Sequence, residues 1–251
     1  MAGNQHRNGD RNRGDRNRGR GSGRSDQRPP KRGTLVTGDG SDSDLPKWVR
    51  EEINRSTPKE RREPTINLLS EAAHLYGAGK YQQALPKLVE AKKLSSATAT
   101  IRELLGLSHY HLGQWDKALQ EFRTFRRLSG ETQNMPAEMD CLRALDRPGD
   151  VEKTWKLFNE LGGAAADKSE ARVVYASFLL DSGRARDAWS IVAPKRIEKS
   201  APDHALREWY VAARAADALG DGAAATKLAD AIESRDPQFP GLGELRDAID
   251  G

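Results

Sequence analysis

The feature that most restricts how this chain can fold is a spacing. The segment "LLSEAAHLYGAGKYQQALPKLVEAKKL" (68–94) aligns with "RELLGLSHYHLGQWDKALQEFRTFRRL" (102–128). In each, a small residue is followed seven positions later by Gly, two after that by an aromatic residue, and three further on by Ala. The glycines, Gly79 and Gly113, lie 34 residues apart, and fainter copies centred on Gly149, Gly183 and Gly220 follow at intervals of 36, 34 and 37. A period in this range is the mark of a repeat architecture, each unit being one supersecondary element that buries its apolar face only by stacking on its neighbours.

Each position in the pattern has a packing reason. Seven before the glycines stand Ala72, Gly106, Leu142, Ala176 and Ala213, and small side chains there let two helices approach closely; Leu142 is the departure. Five after come Ala84, Ala118, Thr154, Ala188 and Ala225. Four further on, Leu88, Phe122, Phe158, Val192 and Ala229 supply bulk for the next unit. Glycine itself suits a tight helix–helix turn, where positive φ costs it little. The unit is therefore a pair of antiparallel helices. Trp115, just past the second glycine, is expected between the two helices of its pair.

These residues resemble the tetratricopeptide repeat family over about residues 65–237, and the segments "LPKWVREEI" and "MPAEMDCLRALDRPGDV" are similar to stretches of actinobacterial tetratricopeptide proteins. The resemblance implies an all-α, right-handed solenoid of about five helix pairs, at 65–98, 99–134, 135–168, 169–205 and 206–237. The first two units match well, and the fifth matches through Trp209, Gly220, Ala225 and the closing Asp236-Pro237. Units three and four are degenerate. Pro194 should end or bend the second helix of unit four, and Pro86 should kink that of unit one. Residues 45–64 read as a leading helix and linker, with Asp44 as N-cap, Pro46 in the first turn and Trp48, Val49 and Ile53 on one face. Residues 238–251 read as a C-terminal cap.

Composition matters for what precedes the repeats. Residues 1–44 contain no aromatic residue and only Leu35 and Val36 as large aliphatics. Such a segment cannot offset its backbone entropy by burial, so a disordered arm is expected. Residues 1–40 hold ten Arg/Lys against four Asp/Glu, a net of +6, so the whole-chain charge of +4 leaves −2 for residues 41–251. The basicity belongs to the arm. Arg7, Arg11, Arg13, Arg16, Arg18, Arg20 and Arg24, set among glycines and a duplicated Asp-Arg-Asn-Arg-Gly pentad, are its candidates for contact with RNA or another polyanion. The arm has no Phe or Tyr on which bases would stack, and its acidic residues dilute it.

The chain has one cysteine, Cys141, begins without an apolar leader and has no run of 18 apolar residues. These point to a cytoplasmic protein without membrane insertion. No phosphate loop, GxSxG or HExxH motif occurs, so no enzyme activity and no cofactor are expected. Cys141 reads as a buried small residue and His109 as a packed core residue. His111 is expected to be exposed near the turn, and no metal site is expected from the histidines. Glu51 and Glu52 read as solvent charges.

The expected function is a non-catalytic protein–protein interaction scaffold that holds a protein or peptide partner in a groove lined by first helices; the alternative is an RNA-associated adaptor working through the arm. One row of the groove is Leu69, Glu103, Met139, Val173 and Tyr210; a second is Ala73, Leu107, Arg143, Ser177 and Arg214; a third is Tyr76, Tyr110, Asp146, Leu180 and Asp217. Tyr76 and Tyr110 are the expected aromatic anchors. Arg143 is three residues from both Asp140 and Asp146, and Arg214 three from Asp217, so these pairs can also satisfy each other. Among tetratricopeptide proteins, a Lys/Asn/Arg set clamps the acidic tails of heat-shock chaperones. Leu69 and Ala73 stand where its Lys and Asn belong, so that role is not expected.

Overall fold

The computed structural model describes residues 45–198 and 200–250; the Arg/Gly arm and the proposed Asp44 cap lie outside them. The described residues form twelve α-helices and no strand. A leading helix, α1 (Lys47–Ser56), is followed by five pairs. These are α2 (Lys59–Gly77) with α3 (Tyr81–Leu94), α4 (Ala99–His111) with α5 (Trp115–Ser129), and α6 (Met135–Ala144) with α7 (Pro148–Leu161). Then come α8 (Ala165–Asp181) with α9 (Ala185–Val192), α10 (His204–Ala218) with α11 (Gly222–Glu233), and a last helix, α12 (Leu242–Asp250). The members of each pair pack on each other, and α3, α5 and α9 also pack on the helix that opens the next pair.

Prolines set several boundaries. Pro46 is the N-cap of α1, and Val49 and Ile53, one turn apart, are fully buried. Thr57 is extended, as a residue before proline should be, and Pro58 caps α2. The first helix of the first pair thus starts at Lys59, inside the segment read from sequence as leading helix and linker. Helix α9 stops at Val192, two residues before Pro194. Pro86 does not break α3, which runs on to Leu94.

The turns within pairs share one geometry. Gly79, Gly113, Gly183 and Gly220 have φ of 71°, 66°, 71° and 76°. In each case the next residue's N–H donates back to the carbonyl five positions earlier: Lys80 to Leu75, Gln114 to His109, Arg184 to Leu179 and Asp221 to Ala216, at 2.8–2.9 Å. A second bond runs from the positive-φ residue itself to the carbonyl three before it. These are the two bonds of the Schellman motif, which satisfy carbonyls that a helix end otherwise leaves unpaired.

The third turn corrects the sequence reading. Its positive-φ residue is Asp146 (φ 51°), with Arg147 N–H donating to Leu142 at 2.9 Å. Gly149 lies inside α7, next to the Pro148 that opens it. Aspartate tolerates the left-handed region better than most residues, and proline favours a first helical turn, so "LDRPGD" carries the turn three residues earlier than its glycine suggests. In the corrected register, Met139 replaces Leu142 at the small site, and Val151 and Trp155 replace Thr154 and Phe158. Val151 is fully buried.

The small sites do what their size suggests. Ala72, Ala176, Ala213, Ala84, Ala118, Ala188 and Ala225 have no exposed surface. At Gly106 a Cβ would stand 2.6 Å from the Phe122 ring, so the ring fills the space where a side chain would be. One apolar cluster joins α1–α4 through Val49, Ile53, Leu69, Leu88 and Leu104. A second runs from Phe122 through Leu142, Leu179 and Trp209 to Ile232 and Leu245, so the last helix caps it. Leu107 touches both. Trp115 is only half-buried, at the first position of α5 and edge-on to Tyr110 with ring centres 5.4 Å apart, rather than enclosed between the helices.

Asp146→Gly removes a side chain from left-handed backbone that glycine adopts freely, against some gain in unfolded-state entropy. It should raise stability by up to about 1 kcal/mol, measured by urea unfolding.

Candidate partner-binding face

Along the first helices, α2 packs on α4, α6 on α8, and α8 on α10. The expected groove residues divide on this row. Leu69 and Met139 have no exposed surface and belong to the core. Leu69 faces into the first pair, and the corrected register puts Met139 at a helix-crossing site, so neither can line a groove. Tyr76 is also buried, 8% exposed, with its hydroxyl 3.2 Å from His111 Nε2. As an anchor for a partner it has little surface to offer. Burial pushes its phenol up to about 12.

Most of the others are held by neighbouring helices. Glu103 accepts from Gln133 Nε2 at 2.9 Å and Asn134 Nδ2 at 3.1 Å. Tyr110, half-buried, donates to Asp140 Oδ2 at 2.5 Å, and burial with the nearby carboxylate pushes its phenol well above its usual value. Arg143 binds Asp140 at 2.8 Å and Asp181 at 2.6 Å, and these carboxylates raise its pKa against the effect of burial. Ser177 Oγ donates to the Val173 carbonyl of its own helix. The Tyr210 ring lies 5.6 Å from Phe239 and closes over Gly241, so the C-terminal segment covers it. Asp146 forms the third turn rather than a groove row. Half-buried Ala73, Leu107, Ser177 and Leu180 and exposed Arg214 are what the row presents outward.

Carboxylates also tie successive helices together. Glu121, 5% exposed, binds Lys92 at 2.6 Å and Arg102 at 2.9 Å, joining α3, α4 and α5. Glu138, 1% exposed, takes both Nε and Nη2 of Arg126; burial raises its pKa and the guanidinium opposes that shift. Glu208 of α10 accepts from Arg172 and Ser169 of α8. Glu52, read from sequence as a solvent charge, instead accepts from Ala99 N–H at 2.7 Å and Thr100 Oγ1 at 2.5 Å, so α1 caps the start of α4. A carboxylate there is also favoured by the helix dipole. No sequence pattern marks these residues, because their partners lie 12 to 48 positions away.

The titratable singletons are accounted for by packing. Cys141 is fully buried and its thiol is pushed up to about 12 by burial. His109 is core-packed, as its sequence position suggests, with Nδ1 2.8 Å from Gln114 Oε1 and its pKa lowered by burial. His111 is exposed, yet its ring stacks on Tyr81 at 4.2 Å. Among the described residues no group of three His, Cys, Asp or Glu side chains is placed to hold a metal ion. None of the described helices is long and apolar enough to cross a membrane. A cavity of about 210 Å³ opens where α6, its turn and α8 meet, lined by Arg143, Asp146, Arg147, Pro148, Phe178, Asp181 and Ser182. Comparison of the chain with family models, curated proteins and solved structures finds no match.

Glu152 offers a pH test of these ties. It accepts from Tyr175 at 2.6 Å and Arg184 at 2.8 Å, which hold its carboxyl below the usual glutamate range against the opposing effect of burial. A lowered folded-state pKa contributes stability that is present above the unfolded pKa, about 4.3, and lost as pH falls through the folded value. Glu152→Gln should cost about 1 kcal/mol at neutral pH. In urea unfolding across pH, its deficit against wild type should shrink below about pH 4.

Proposed function

We propose that residues 65–237 form a right-handed tetratricopeptide-type solenoid of five helix pairs and act as a non-catalytic, cytoplasmic scaffold, holding a protein or peptide partner on the first-helix face. The observation that carries this reading is the fivefold recurrence of one turn, with the same two hydrogen bonds, between paired helices that also pack on the next pair. Repeat stacks of this kind offer extended surfaces suited to peptides. The half-buried Ala73, Leu107, Ser177 and Leu180 give the face an apolar and small-residue floor. Its charged rim, from Arg143 and Asp181 to Arg214, is suited to orienting a chain. The Arg/Gly arm supports a second reading, contact with RNA, through its concentration of +6 in residues 1–40.

Affinity purification separates the two. Full chain and residues 45–251 are each used as bait, with and without nuclease. Partners of the face persist in all four conditions, whereas RNA-dependent ones need the arm and vanish on digestion. Ala73→Arg with Ser177→Arg, which puts two bulky charges on the half-buried floor, should weaken capture of the persistent partners at least tenfold, with helicity unchanged. Undiminished capture would move the site to another face.

A further inference from the structure

The first two turns carry rings that the other three lack. Tyr81, the first residue of α3, stacks flat on His111, the last of α4, with ring centres 4.2 Å apart and planes 5° from parallel. Tyr110 meets His111 at 5.9 Å and Trp115, the first residue of α5, at 5.4 Å, both edge-on. Tyr81, His111, Tyr110 and Trp115 thus form one row of rings along the edge where both turns lie. His111 is exposed, and the other three are half-buried. Exposed Lys80 precedes Tyr81, and exposed Lys117 follows Trp115 by two residues; neither forms an ion pair with another described residue. Asp116 is the single carboxylate in the first turns of these two helices.

The turn itself does not call for these rings. Two residues past the turn, the later pairs carry Pro148, Ala185 and Gly222 where the first two carry Tyr81 and Trp115. Two residues before it they carry Ala144, Asp181 and Ala218 where the second carries His111. The same two backbone bonds close all five turns regardless. Flat aromatic surface beside unpaired cations is the composition of a single-strand site, in which bases stack on rings and lysines hold phosphates. A proline-rich peptide would use the rings and leave the lysines idle. The chain's own arm favours the nucleic acid: it concentrates +6 in residues 1–40 but holds no aromatic residue, so a strand it attracts would find stacking partners only elsewhere on the chain. We infer that the edge formed by the first two turns is a stacking platform for single-stranded RNA, with Tyr81, His111 and Trp115 against bases and Lys80 and Lys117 at phosphates. The inference rests on the RNA reading above and adds the place on the folded chain where bases are held.

The probe is a fluorescein-labelled oligoadenylate of about twelve nucleotides, titrated with the full chain by anisotropy at several salt concentrations. Tyr81→Leu with Trp115→Leu keeps apolar bulk and removes the rings. It should weaken binding by at least about fivefold, the value of one stacked base, and leave the salt slope unchanged. Tyr81→Phe with Trp115→Phe should bind within roughly twofold of wild type, which separates lost stacking from lost structure. Lys80→Gln with Lys117→Gln should reduce the slope of log K against log salt by about 1.4, for two phosphate contacts. Equal binding by the leucine variant and wild type, or competition by inorganic polyphosphate as effective as by unlabelled oligoadenylate, would overturn the platform. If that binding still vanishes when the arm's arginines are changed to glutamine, the RNA reading stands and only the platform falls. A full chain that does not bind oligoadenylate removes both. Tighter binding of decaproline than of oligoadenylate, lost in the leucine variant, would make the edge a peptide site and overturn the inference.

Discussion

Everything in this structure depends on a chain reversal that costs little. Each pair of helices is joined by one residue at positive φ, and the backbone bond across it, 2.8–2.9 Å in all five turns, satisfies a carbonyl that the ending helix would leave exposed. The reversal lays the second helix back on the first, and only then do the small residues on either side of it meet. Gly106 under the Phe122 ring shows how close that approach is. A wider turn would separate the same helices and open the interior between them.

Apolar packing alone leaves adjacent helices free to slide, since methyl and methylene surfaces are not directional. The carboxylates restrict that freedom. Glu121 and Glu138 are nearly inaccessible, and each is held by arginine or lysine from a neighbouring helix. A buried ion pair contributes little net stability after desolvation, but removing one partner is costly, so it discriminates strongly between the correct packing and a displaced one. Glu52 acts in the same way at the N-terminal end, where it fixes α1 to the start of α4.

This use of polar groups limits what the first-helix face has to offer. Glu103, Tyr110 and Arg143 look like recognition residues by type, yet each is engaged by the first helix of the next pair or the turn leading into it. What remains is a floor of small and aliphatic side chains and a few charges whose needs are incompletely met.

The amino-acid sequence by itself determined the helical pairing, the number of pairs and, outside the third pair, the identity of the small crossing residues, because turn glycines and compact side chains act over a few positions and repeat. It also placed His109 and Cys141 in the interior, from their positions on first helices. It misplaced the third turn, where an aspartate adopts a conformation that glycine usually signals. Tertiary structure decided which groove-like residues are accessible: Leu69 and Met139 turn inward, Tyr76 is buried under His111 and Tyr81, and the C-terminal segment covers Tyr210. The physical reason is range. A turn or a crossing site is satisfied by atoms close along the chain, whereas exposure and ion pairing depend on helices that arrive from tens of residues away.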